Sequence, residues 1–293
     1  MIKLYFQPPE TPMFPQADLP RLISLSCVSD NPNWFYDMHK HDSHCELMFI
    51  KEGQGHYTLD NRPYTVKAGD IIALNKGVVH GEASDPAHPL TVWTCSVDNI
   101  QIQGLEENQL IPPDIVPVIP SGSLASWFDA LFMNIYQERT QQHPGFEAMV
   151  QLYVTQMIAM VQRLIQQTPH YLVRSHGKSL SESIKQYIDL HYAENISLTR
   201  LSELFHVSAY HIAHEVKRDL GTSPINYLIG RRIGEAQRML TSTDMTVSSI
   251  SQAVGYGNIS YFMKLFQRRV GVTPSRFREL YILGKTPEQT GRS

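Results

Sequence analysis

The sequence predicts an α+β protein: a β-barrel-like first third, then a helical hairpin, then an all-α region with two helix-turn-helix units. Three observations predict it. Short apolar runs separated by turn signals fill residues 20–100 or so; a 3.6-residue apolar period takes over at residue 123; and the segment 198–227 recurs at 247–277.

The runs CELMFI, HYTLD, YTV, DIIAL and LTVWTCSV alternate with EGQG, DNRP, KAGD, NKG and SDPAHP. Short strands at regular spacing read as an antiparallel sandwich or barrel. Residues 101–122 carry four prolines and read as an extended connector. Over 123–141, Leu124, Phe128, Leu131, Phe132, Ile135 and Tyr136 make one apolar stripe; after a break at HPG (143–145), Phe146, Met149, Val150, Tyr153, Met157, Met160, Val161 and Leu164 make a second. Two such helices form an αα-hairpin. One face can cover the barrel, and the other can pair with a second copy. Phe128, Phe132, Ile135, Tyr153 and Met157 are the dimerisation candidates, with packing inside the domain as the alternative. The expected division is 1–122 barrel, 123–167 hairpin, 168–179 linker, 180–283 helical domain and 284–293 flexible tail.

A length of 293 residues suggests two domains, and 42% hydrophobic with 18% charged residues is ordinary for a soluble protein. No apolar run reaches the roughly 18 residues that span a bilayer. The start, MIKLYFQPPETPMFP, lacks the apolar core of a secretory signal. Cys27, Cys45 and Cys95 are odd in number and lack zinc-type pairing. A cytoplasmic protein with reduced thiols is expected. The net charge of −3 hides an asymmetry: residues 1–173 hold 9 basic against 18 acidic side chains, and residues 174–293 hold 16 against 10. A basic C-terminal part suits a polyanion.

In the repeat, Leu198 and Leu201 match Val247 and Ile250; Ile212, Val216, Gly221, Pro224 and Tyr227 match Phe262, Phe266, Gly271, Pro274 and Phe277. Each copy reads as helix, tight turn, helix. Ser208 and Asn258 are placed to cap the second helices. Gly255 supplies a positive φ in one turn, and His206 must tolerate a similar bend in the other. This pattern can lay the second helix of each copy in a DNA major groove. Tyr210, His211, Ala213, His214 and Lys217 then face outward in the first copy, and Ile259, Ser260, Tyr261, Met263, Lys264, Gln267 and Arg268 in the second. Lys217, Arg218, Arg268 and Arg269 are placed for phosphates.

Residues 180–281 resemble the AraC/XylS family of bacterial transcription regulators. The likeness rests on the first copy's run through G-T-S-P-I-N-Y, on RRIGEAQRML (231–240), and on GYGNISYFMKLFQRRVGVTPSRFR. It implies a linker helix holding two recognition helices about one DNA turn, roughly 34 Å, apart. His214 stands where the family usually has Arg. A weaker or shape-based reading by the first helix follows, because His lacks arginine's two-pronged grip on guanine.

In the first half, His39-x-His41-x4-Glu46-x6-Gly53 and Gly69-x5-Asn75-x-Gly77-x2-His80 resemble the two cupin motifs, with Asn75 where the second usually has Pro. The resemblance implies a sensor barrel. A three-His, one-carboxylate set suits zinc, iron, manganese or nickel; a metal-free pocket binding effector polar groups through the same residues is the alternative. His44 is read as lying on a turn.

The expected function is a ligand-responsive, sequence-specific DNA-binding regulator, not an enzyme. Its partners would be double-stranded DNA, RNA polymerase, a second copy, and a small effector, for which the family analogy suggests a sugar or related metabolite; no membrane partner is expected. The competing readings are a metal-dependent cupin enzyme fused to a nucleic-acid-binding module, and a structural partner protein without DNA binding.

Overall fold

The computed structural model describes residues 2–5, 19–29, 31–167 and 179–281. The expected linker therefore lies, except for Ser179, outside the described residues, as does the expected tail.

The N-terminal part is two antiparallel sheets. β1 (Ile2–Tyr5), β2 (Arg21–Val28), β4 (Cys45–Glu52), β7 (Asp70–Leu74), β9 (Thr91–Asp98) and β10 (Val118–Pro120) form one, in the order β1-β2-β9-β4-β7-β10. β3 (Phe35–His39), β5 (Gln54–Leu59), β6 (Arg62–Lys67) and β8 (His80–Ser84) form the other, in the order β3-β8-β5-β6. The expected strand runs all fall on strands. CELMFI is buried at every position, and the reason is geometric: Cys45, Leu47 and Phe49 join the core beneath the helical hairpin, while Met48 and Ile50 join the core shared with the second sheet. β5 instead alternates exposed and buried, with Tyr57 and Leu59 pointing inward. The proline-rich connector is mostly irregular, as expected, but Val118–Pro120 adds a short edge strand to β7.

The hairpin is α1 (Ala125–Gln141) and α2 (Phe146–Gln167), turning through Gln142 in the left-handed region at φ 50°. Its main stripe lies on the first sheet. Phe49 stacks on Phe128 and Phe132 at 6.1 and 6.3 Å, and Trp93 on Phe132 at 6.0 Å. This corrects the choice of dimerisation residues. Phe128, Phe132, Ile135 and Met157 are buried within the chain and cannot meet a second copy; of the five, Tyr153 alone is partly exposed. The large apolar side chains this hairpin leaves exposed are Met149 and Leu152.

The C-terminal part is helical: α3 (Leu180–His191), α4 (Leu198–Phe205), α5 (Ala209–Leu220), α6 (Pro224–Ser242), α7 (Val247–Ala253), α8 (Ile259–Val270) and α9 (Pro274–Tyr281). Each start from α3 to α8 has a Ser, Thr or Asn whose side chain accepts from a backbone N–H of the first turn.

The two parts are packed together. A core cluster runs from Tyr36 and Leu59 through Ile233, Ala236 and Leu240 of α6 to Phe262, Phe266 and Phe277. A side chain at Gly234 would put its Cβ 2.1 Å from the Met38 carbonyl oxygen, so glycine is what lets α6 reach β3. Gln237 bridges the contact, accepting from Asp37 N–H at 2.8 Å and donating to Phe35 O at 3.1 Å. Arg231, fully buried, donates to Met38 O at 2.9 Å and pairs with Asp189 at 2.8 Å and Glu235 at 3.2 Å. Lys185 of α3 reaches Asp60 at the β5–β6 turn at 2.8 Å. Among the described residues no helix is long and apolar enough to cross a membrane.

Candidate functional site

The two repeats fold as two helix-turn-helix units with their second helices on the surface. In the first, α4 ends at His206, which takes φ 54° and ψ 38°, and Ser208 caps α5 by accepting from His211 N–H. In the second, Gly255 takes φ 88°, where a Cβ would lie 2.4 Å from the Ala193 carbonyl oxygen, and Asn258 caps α8 by accepting from Tyr261 N–H at 3.0 Å. Gly221 and Gly271 end the helices in the left-handed region. Ile212 and Val216 anchor α5, and Phe262, Leu265 and Phe266 anchor α8.

The opposite faces are open. Tyr210, His211, His214 and Lys217 are exposed and Ala213 half-buried; Ser260, Tyr261, Met263, Lys264, Gln267 and Arg268 are all exposed, as are the caps Ser208 and Asn258. Among the described residues Lys217, Lys264 and Arg268 enter no ion pair, so their charge is available to phosphate. Two neighbours are committed elsewhere. Arg269 pairs with Asp37 of β3, and Arg218 pairs with Glu215 and Asp219 on its own helix. Both guanidiniums thus have ion-pair partners within the chain.

The second site lies in the β-domain. His39 closes β3, Glu46 is on β4 and His80 opens β8, while His41 lies just beyond β3 and reaches the cluster from a loop. One ligand atom from each of the four falls within 4.8 Å of the others. His41 Nε2 and His80 Nε2 each stand 3.3 Å from a Glu46 oxygen. At that geometry neither buried nitrogen has a hydrogen-bond partner. His39 Nδ1 and His80 Nδ1 lie 3.0 Å from the carbonyls of Asp37 and Val78. Carbonyls only accept, so each Nδ1 carries a proton. Ser96 donates to Glu46 Oε1 at 2.9 Å and accepts from Ser24 at 2.9 Å. His44 stacks on His41 at 4.5 Å from an exposed turn, outside the set.

Burial, then the His80 and His41 rings, hold His39 well below the usual imidazole value. Burial works to raise Glu46, but His41 and His80 outweigh it and hold the carboxyl well below its usual range. Burial likewise opposes a charge on His80, yet Glu46 raises it. A divalent transition ion with ligands at about 2.1 Å needs opposite donors about 4.2 Å apart. The four ligand atoms spread up to 4.8 Å, so they would have to close in slightly to share one ion, and two of the rings are held in place through backbone carbonyls. Leu59 and Leu74, register partners of His80 and Glu46, line a cavity of 150 Å³. Ile111 and Pro112 of the connector close it; Asn75, Arg62 and Tyr64 supply polar groups. Asn75 also clamps that connector, accepting from Leu110 N–H at 2.7 Å and donating to Ile111 O at 2.8 Å.

Residues 23–158 match the model of the AraC-like ligand binding domain, and residues 201–280 match that of a helix-turn-helix domain. An uncharacterized HTH-type transcriptional regulator of Escherichia coli (strain K12), YdiP, is 34% identical over 274 residues, covering 92% of this chain and 89% of its own. The chain belongs to the AraC family of transcription regulators. The MmsAB operon regulatory protein of Pseudomonas aeruginosa is 27% identical over 247 residues, covering 82% of this regulator and 76% of its own length. Among solved structures, the C-terminal domain of AraT from Geobacillus stearothermophilus is 28% identical, with TM-score 0.37, over 38% of this regulator and 93% of that chain.

This AraC-family regulator thus joins a ligand-binding N-terminal domain to a helix-turn-helix DNA-binding domain, and the two full-length relatives named above are themselves regulators. Sequence reasoning missed Asp37, Gln237 and the Lys185–Asp60 pair, which join the two parts. Their partners lie 125 to 232 residues away in the chain, beyond any local pattern. Ser24 and Ser96 were missed as well; their alternation with apolar neighbours in two strands was the available signal.

Proposed function

We propose that this regulator reads a specific duplex with α5 and α8 together, and that a small polar effector entering the β-domain beside the His–Glu cluster alters that reading. Ser208, Tyr210, His211, Ala213 and His214 on α5, with Asn258, Ser260, Tyr261, Met263 and Lys264 on α8, meet base edges or adjacent sugars. Lys217, Gln267 and Arg268 grip phosphate. The observation carrying this reading is that both helices bury one apolar face and leave the capped, polar face bare. An effector with hydroxyl, carboxylate or carbonyl oxygens suits the polar wall of Asn75, Arg62 and Tyr64 in the cavity whose Leu59 and Leu74 are register partners of His80 and Glu46. Self-association through the hairpin would use Met149 and Leu152, the apolar groups it leaves uncovered.

The test is to select duplexes from a random pool with the full-length protein and titrate them at two salt concentrations. Selected duplexes should bind at least 1000-fold more tightly than random ones, with affinity falling steeply as salt rises. Equal affinity for random DNA would overturn the reading.

A further inference from the structure

Each helix-turn-helix unit has its own core, and α6 enters both. Ile188, Ile212 and Val216 close around Tyr227 and Leu228 in the first turn of α6. Ile250, Phe262 and Phe266 close around Ile233 and Leu240 further along it. A shared rod fixes how far apart two bodies sit, but each can still roll about its axis. A joint near the middle of α6, built on Arg232, stands against that roll. Arg232 Nε donates to Tyr192 O at 2.7 Å and its Nη2 to Glu194 O at 2.6 Å. Tyr192 is the C-cap of α3, where a helix leaves carbonyls without internal partners and a cation is favourable. The same guanidinium lies 5.0 Å from the centre of the Tyr256 ring. Tyr256 belongs to the turn of the second unit, and its ring meets Tyr261 and Phe262 of α8 at 6.0 and 5.6 Å. Beside it the two units touch directly, because Gly255 leaves no room for a Cβ against the Ala193 carbonyl. Tyr192 packs against both cores, with Arg231 lying 5.3 Å from its ring centre. The end of α3, the middle of α6 and the turn before α8 therefore meet at one guanidinium.

We propose that Arg232 is the positioning residue that locks α5 against α8, and so determines how many base pairs the protein accepts between the two DNA segments it reads. The proposal rests on the DNA-reading function above and deepens it. Inserting one base pair moves a segment by about 3.4 Å along the duplex and turns it by roughly a tenth of a turn. A locked pair of helices cannot follow both segments through that change. A pair free to roll about α6 follows them with little loss. Two bonds to the end of α3 and one ring contact to the turn before α8 are what a roll would break, and Arg232 makes all three. It stands half-buried on α6, so its replacement leaves the outward side chains of α5 and α8 in place. Base preference within each segment and tolerance of the distance between them therefore separate: the first belongs to the recognition helices, the second to this joint. A side chain that only steadied the fold would instead lower binding at every spacing by one factor.

The test uses full-length protein and a duplex selected from a random pool. Single-base substitutions along it first mark the two segments that are read. One base pair is then inserted or deleted between them. The natural protein should lose about 10-fold or more in affinity on either change, the scale of a misplaced base contact. Arg232→Met keeps the length of the side chain and removes its donors and charge. Its loss on the same two changes should shrink to about 3-fold or less, while the cost of each single-base substitution stays within about 2-fold of the natural value. Arg232→Lys, which keeps the charge and can still donate to Tyr192 O, should fall between the two and keeps the test decisive if the Met variant does not fold. Tyr256→Leu approaches the joint from the other side and should flatten the spacing dependence in the same way. The proposal is overturned if Arg232→Met and Arg232→Lys weaken binding by one factor at every spacing, or if the natural protein already tolerates both changes. In either case the DNA-reading function stands as long as selected duplexes are preferred over random ones. Loss of that preference in the natural protein would remove the function itself, and this inference with it.

Discussion

Single residues carry the sharp turns and the contacts to DNA proposed above. His206 pays a steric penalty of about 1 kcal/mol for its left-handed backbone. His206→Gly should therefore raise unfolding free energy by up to about 1 kcal/mol, read from urea denaturation. Gly255 cannot be exchanged so easily. In Gly255→Ala the new carbon would meet a backbone carbonyl that cannot move aside and would keep the unfavourable φ. A loss of about 2 kcal/mol or more is expected in the same measurement. On the DNA side, Arg268→Ala should weaken binding to all duplexes alike and reduce the salt slope by about 1. Lys264→Ala should instead cost about 1–3 kcal/mol at one position of the selected sequence, seen as relaxed preference there in competition assays. Both positions were legible in the sequence, since outward and inward residues of a helix follow from its period. The fate of Arg269 was not, since its partner Asp37 lies 232 residues away.

Helices and strands decide which faces are free. The apolar stripes of α1 and α2 were visible in the sequence, but a stripe does not state what covers it. Phe128 and Phe132 settle against Phe49 and Trp93, and the hairpin becomes a lid on the first sheet. The continuous burial of β4 has the same cause: helices cover one of its faces and the second sheet the other. Element ends were easier to read, because capping is a local event. Asn258→Ala removes the acceptor for Tyr261 N–H and should destabilise α8 by about 1 kcal/mol, measured as faster amide exchange in its first turn. At α6 the limiting factor is distance. Gly234→Val places a branched Cβ 2.1 Å from the Met38 carbonyl oxygen. The helix must then retreat from β3, and amide exchange at Asp37 and along α6 should accelerate while the strands of the first sheet stay protected.

Across the whole molecule, the polar clasp between the halves is built from charges that are costly to bury alone. Arg231 is enclosed with Asp189 and Glu235; Arg231→Ala would leave Asp189 to Lys185 and Tyr227 and Glu235 to Arg238, and the lost buried bonds should cost about 1–3 kcal/mol in denaturant unfolding. The acidic first half and basic second half were legible as an asymmetry, yet only the folded chain turns part of it inward, through Lys185–Asp60 and Arg269–Asp37. The sequence suggested two domains on a linker; the fold adds a core cluster that draws residues from both halves.

By itself, the sequence determined the duplicated helix-turn-helix pair, its caps and glycine turns, the strand runs and the identity of the His–Glu set. All of these depend on neighbours a few residues apart or on spacing within a motif. Tertiary structure alone decided which face of the hairpin is buried, how His41 reaches its companions from beyond the strand, and that β3 binds α6 and α8. Those outcomes depend on which surfaces meet once water is expelled between segments distant in the chain, and no local pattern encodes such a meeting.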